Sequence, residues 1–155
     1  MSSESAELHL EVLLEQPYEV LERVLRAGPE RWLPAFSREG NGMTGELAYE
    51  QAGRRIKRRI EVHVGPVQRF AYGVTAQIHW KAARRSELYP ELEGHLRLEP
   101  RQPSGSRLRL DGHYAPPGGK LGATVDRVLM HHIAEASVRD FLSRVGGQLS
   151  ARASA

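Results

Sequence analysis

The stretch Tyr114–Leu149, YAPPGGKLGATVDRVLMHHIAEASVRDFLSRVGGQL, decides the fold. Pro116, Pro117, Gly118 and Gly119 end a strand there, because proline cannot donate to a ladder and glycine frees the backbone to turn. The residues after Gly119 read as one long helix that closes at Gly146-Gly147. At about 100° per residue, Leu121, Val125, Val128, Leu129, His132, Ile133 and Ala136 share one side. Val138, Phe141, Leu142, Val145 and Leu149 lie nearly opposite. The apolar stripe is therefore expected to swing round between Ala136 and Arg139, with the first half of the helix as a pocket wall and the second half as an anchor.

Upstream of this helix the chain mostly alternates. Leu8, Leu10, Val12 and Leu14 form the apolar side of a first strand, with Glu7, His9 and Glu11 opposite. Pro17 then opens a helix on Val20, Leu21, Val24 and Leu25, since a first-turn proline has no helical partner to lose. Gly28-Pro29 stops it, and a second short helix, Glu30 to Phe36, carries Trp32, Leu33 and Phe36. From residue 42 the period becomes two. Successive apolar faces are Met43, Gly45, Leu47 and Tyr49, then Ile56, Arg58, Ile60, Val62 and Val64. Tyr72, Val74, Ala76, Ile78, Trp80 and Ala82 come next, followed by Leu92, Gly94, Leu96 and Leu98, and by Leu108, Leu110, Gly112 and Tyr114. The expected class is α+β: a curved, mainly antiparallel sheet of about six strands around a long C-terminal helix, with two short helices after the first strand. It forms a single domain over 6–150, with flexible tails at 1–5 and 151–155. On the inward faces Gly45, Ala76, Gly94 and Gly112 are small. They leave room for a cavity, or they relieve strain where strands bend, and both readings can hold together.

Composition narrows the function. A chain of 155 residues suits one domain with its own core. The absence of cysteine removes disulfide and thiolate chemistry. No signal-like or membrane-spanning apolar run is present, so a cytoplasmic protein without a membrane span is expected. The charge of +3 comes from 22 basic against 19 acidic residues, close to balance. The run Arg54, Arg55, Lys57, Arg58, Arg59 reads as the wet end of a hairpin, and with few aromatics beside it no nucleic-acid partner is expected.

With this order of elements, the chain resembles the helix-grip superfamily of START lipid-binding domains, polyketide cyclases and the birch-pollen allergen family. It is most similar to bacterial SRPBCC proteins of the polyketide cyclase/dehydrase-like kind. Gly112–Pro117 (GHYAPP), Gly118, Gly122, Asp126-Arg127 and the AEASVRDFL run from Ala134 to Leu142 carry the resemblance, supported by Pro17. It implies an apolar small molecule, lipid or polyketide-like, bound between sheet and helix. A cyclase or aromatase-like enzyme is the alternative, and a protein-interaction module without ligand is a third reading.

Arg58 breaks an apolar strand face, and an unpaired charge taken out of water costs several kcal/mol. It is expected at a wet rim, paired with an acid, or facing an acidic or carbonyl group on a ligand. His132 lies on the apolar side of the helix, as a packing residue or as a hydrogen-bonding or acid–base group. Tyr49, Tyr72, Trp80 and Tyr114 combine apolar bodies with polar tips. Together with Val125, these seven are the candidate ligand-binding residues. Arg58, Tyr114 and His132 are the ones to test for catalysis, although no acid on the apolar faces completes a catalytic set. His63, His79, His95 and His113 fall on polar faces without a spaced Cys or Asp partner, so neither a metal nor a cofactor is expected. The sequence leaves a homodimer open.

Overall fold

The computed structural model describes residues 6–33, 35–84, 89–115 and 127–154. The chain runs β1 (Ala6–Leu14), α1 (Tyr18–Arg26), α2 (Pro29–Trp32), β2 (Ser37–Glu39), β3 (Gly42–Gln51), β4 (Arg54–Val64), β5 (Gln68–Phe70), β6 (Gly73–Ala82), β7 (Glu91–Pro100), β8 (Ser106–Ala115) and α3 (Arg127–Ala153). An antiparallel sheet in the order β1-β8-β7-β6-β4-β3-β2, with β5 on β6, packs around the long C-terminal helix. This is the expected helix-grip α+β architecture. Among the described residues it has eight strands rather than about six, because β2 and β5 are three residues each, too short to display a period of two.

Alternation places Val74, Ala76, Ile78 and Trp80 of β6 inside, with Leu96 and Leu98 of β7 and Leu108 and Leu110 of β8 beside them. Trp80 packs on Phe141 of α3, ring centroids 5.1 Å apart. Tyr72 falls outside this face. It sits in the turn before β6, 75% exposed, with Phe70 edge-on at 6.5 Å.

The helix departs from expectation in two ways. Its buried side is one continuous stripe, Met130, Ile133, Ser137, Phe141, Val145 and Leu149, so the stripe does not swing. Ser137 and Gly146 carry it through positions that a count of large apolar residues skips, and Val128 is 79% exposed. Nor does α3 close at Gly146-Gly147; residues 151–153, expected as tail, continue it. At Gly146 an added Cβ would lie 3.2 Å from Leu14 Cδ2 and 3.4 Å from Val12 Cγ2. Glycine there admits a close approach of helix to sheet rather than ending the helix. The expected helix start, from Pro116 to Asp126 and including Leu121 and Val125, lies outside the described residues.

The small inward residues are accounted for by packing and bending. A Cβ on Gly45 would stand 2.5 Å from the Phe36 ring, so that space is filled. Gly94 and Gly112 face each other across β7 and β8. A Cβ on either would come within 2.5 Å of a backbone oxygen of the other strand, Asp111 O or Glu93 O.

Candidate functional site

On the inner face of the β3–β4 hairpin, Leu47 and Tyr49 of β3 stand opposite Arg58 and Ile56 of β4. Tyr49 is buried, and its ring lies 6.3 Å from that of Tyr89, tilted by 31°. Tyr89 is fully buried and donates its hydroxyl to Ser137 Oγ of α3 at 2.5 Å. Burial pushes the Tyr89 phenol above its ordinary value, against the pull of the nearby Arg58 charge. The site is thus a pair of tyrosines and a serine between the hairpin and the middle of the helix, with a guanidinium beside them.

Arg58 is half-buried. Its Nη1 donates to the Lys57 carbonyl at 3.2 Å, and its Nε is buried without a partner. Among the described residues no carboxylate pairs with it, although nine arginine–carboxylate pairs form elsewhere. The wall around Arg58, formed by Leu47, Ile60 and Tyr49, is apolar.

The other candidates go to different places. Trp80 fills the core against Phe141, Tyr72 is outside on its turn, and Val125 lies beyond the described residues. Tyr114 is buried and shares a 2.8 Å hydrogen bond with Nδ1 of His131, not His132. Burial, and after it the Glu135 charge, raise its phenol. His132 is exposed on the side of α3, and its Nε2 donates to the Glu50 carbonyl at 2.7 Å. Two turns further on, Asp140 accepts the Ala48 amide at 3.0 Å and pairs with Arg144 at 3.2 Å. His132 and Asp140 therefore cap the free backbone edge of β3, where the short β2 no longer covers it. A groove of about 410 Å³ follows this seam, lined by Tyr49, Arg55, His132, Glu135, Arg139 and Asp140 among others. Arg58, Tyr114 and His132 each engage a separate partner.

The structure thus brings Tyr49 and Arg58 together and adds two residues that the sequence did not mark. Tyr89 precedes Pro90 at the end of a polar run, outside any alternating strand, so it carries no periodic signal. Ser137 does have one, since it sits four residues after Ile133 and four before Phe141. On the outer face His79 stands opposite Glu93 rather than His95 and stacks on His63 at 6.3 Å. Among the described residues no group of three His, Asp or Glu is placed to hold an ion, and no helix is long and apolar enough to cross a membrane.

Solved structures share this fold over nearly their whole length. A conserved protein from Geobacillus kaustophilus superposes with a TM-score of 0.62 at 13% identity, covering 94% of this chain and 96% of that one. The Zhui aromatase/cyclase from Streptomyces sp. R1128 gives 0.54 at 14% identity, over 96% of this chain and 95% of that one. Norcoclaurine synthase from Thalictrum flavum gives 0.52 at 8% identity, over 92% and 85%. A scan of protein-family models and a search of curated proteins find no match. The chain has the same helix-grip fold as these structures. At these identities the likeness is one of fold.

Proposed function

We propose that the protein binds a small apolar molecule bearing an acidic or carbonyl group, held between the sheet and α3 with its polar end at Arg58. The observation that carries this is a half-buried guanidinium on an apolar strand face that, among the described residues, has a backbone carbonyl but no carboxylate for a partner. Leaving a charge there uncompensated costs several kcal/mol, and an anionic or carbonyl oxygen would supply the missing partner. The aromatic pair Tyr49 and Tyr89 offers an apolar surface next to it. The fold supports the reading, since helix-grip proteins hold ligands between sheet and helix. Of the remaining candidates, Tyr72 on its exposed turn and Trp80 in the core against Phe141 stand apart from Arg58.

Fluorescence titration with anilinonaphthalene sulfonate, an anionic aromatic probe, tests this beside an uncharged anilinonaphthalene. Arg58→Met is expected to weaken the anionic probe roughly ten- to a hundred-fold, as expected for losing a charged hydrogen bond, to leave the neutral probe unchanged, and to keep or raise the unfolding midpoint. Equal affinity of the anionic probe for both proteins would remove Arg58 from the site. Native mass spectrometry of the purified protein checks for a co-purified acid in the same mass window.

A further inference from the structure

The two edges of the sheet are treated differently. At the β3 edge, β2 covers one end and His132 and Asp140 of α3 cap the rest. At the other edge, β1 pairs with β8 in an unbroken register from Ala6↔Tyr114 to Leu14↔Ser106. Its opposite side makes no backbone hydrogen bond with any described residue. The nine-residue run AELHLEVLL has no proline, no glycine, no lysine and no bulge to keep the edge from pairing, and its charged residues are Glu7 and Glu11. Apart from the buried Leu8, its inward side chains are under-covered too. Ala6, Leu10, Val12 and Leu14 are only half-buried, while Leu108 and Leu110 on the adjacent β8 are fully buried. On the outer face Leu13 is 51% exposed.

The geometry points to a second copy of this chain as the occupant of that edge: two β1 strands pair antiparallel about a two-fold axis at Leu10, joining the sheets of the two copies. The charges select the register. With Leu10 opposite Leu10, each His9 faces a Glu11, each Leu8 a Val12, and each Glu7 a Leu13. Shifting the register by two residues, the smallest slip that keeps the apolar side inward, puts Glu11 against Glu11 in one direction. In the other direction it puts Glu7 against Glu11 and His9 against His9. Like charges directly opposite are destabilising, so of these three registers the central one alone is free of them, and it alone pairs all nine residues of the strand. That register also extends rows already built within each copy. His9 is hydrogen-bonded to Asp111 at 2.9 Å, and Glu11 stands opposite Arg109 of β8 and pairs with Arg107 at 3.2 Å. The row across the junction would read Asp111, His9, then Glu11 and Arg109 of the second copy, alternating in sign when His9 is protonated. The Asp111 and Glu7 hydrogen bonds favour that protonated form.

Sedimentation velocity of the full chain over a range of concentrations tests this, with circular dichroism to check that each variant is folded. A reversible dimer is expected. His9→Glu sets acid against Glu11 at both symmetric positions and should weaken association roughly ten-fold or more, since cross-strand pairs contribute ~0.2–1 kcal/mol each and here change sign. Adding Glu11→Lys should restore it. Leu13→Glu separates folding from association: within one copy the new carboxylate stands opposite Arg107, but across the junction it opposes Glu7. It should leave the monomer folded and weaken the dimer. A chain that stays monomeric at every concentration overturns the proposal. So does a dimer that ignores His9→Glu and Leu13→Glu, or a charge-swapped double variant no better than the single one.

Discussion

Tyr89 directs its hydroxyl at Ser137 in a place where neither group meets water, and the two ends of that bond are not equivalent. A serine on a helix can turn its hydroxyl back to the carbonyl four residues earlier; a buried phenol has no such alternative. Ser137→Ala should therefore cost about 1–3 kcal/mol and Tyr89→Phe about 0.5–1.5 kcal/mol, with the double variant well below the sum. Urea denaturation measures all three, and a neutral Ser137→Ala would show that the bond contributes nothing. The same phenol makes alkaline stability predictable. Its folded value is raised above the ordinary 10.0, so the unfolded chain loses this proton first. The stabilisation is complete below about pH 10 and disappears as pH rises towards the folded value. Tyr89→Phe should flatten the fall in stability above pH 10; a fall as steep as that of the parent protein would assign it to Tyr18 and Tyr114, whose phenols are also raised. Arg58 was legible in the sequence because a charge interrupts an alternating face. Tyr89 was not, because a lone aromatic before a proline carries no period.

In α3 the existence of the helix is plain from its amphipathic run, while its facing is not. The large apolar residues alone suggest two opposed stripes. The actual stripe uses Ser137 and Gly146, whose place is set by what they touch: a tyrosine hydroxyl in one case and the side chains of β1 in the other. No single-residue hydropathy contains those contacts. The two glycines that read as a stop make the point testable. Gly147 is exposed and an added Cβ would meet nothing within 4 Å, so Gly147→Ala should gain about 0.5–1 kcal/mol of stability from helix propensity alone. Gly146→Ala should gain less or lose, because its Cβ would press on Leu14 and Val12. Thermal unfolding of the two variants compares them directly. A gain at Gly146 equal to that at Gly147 would mean that the helix does not sit as close to β1 as described.

At the scale of the molecule, the order of elements announces the grip, and the inward glycines hint at a large space inside it. Side chains fill part of that space: Phe36 covers Gly45, and Trp80 meets Phe141. The glycines that remain, Gly94 and Gly112, allow β7 and β8 to approach closely where they face each other. A methyl group on either meets backbone rather than a movable side chain, at 2.5 Å, so the strands themselves must shift to accept it. Gly94→Ala and Gly112→Ala should each destabilise the fold by about 1–3 kcal/mol, the range for overpacking, although alanine is the better residue in an unstrained strand. The two changes press on the same junction. Once one methyl has forced the strands apart the second finds room, and the double variant should cost less than the sum. Chemical denaturation gives the energies, and near-ultraviolet circular dichroism in a Trp32→Phe background reports whether the packing of Trp80 against α3 shifts with the strands. If both single variants leave stability unchanged, the close approach of β7 and β8 is not required, and the helix must be held by the remaining strands alone.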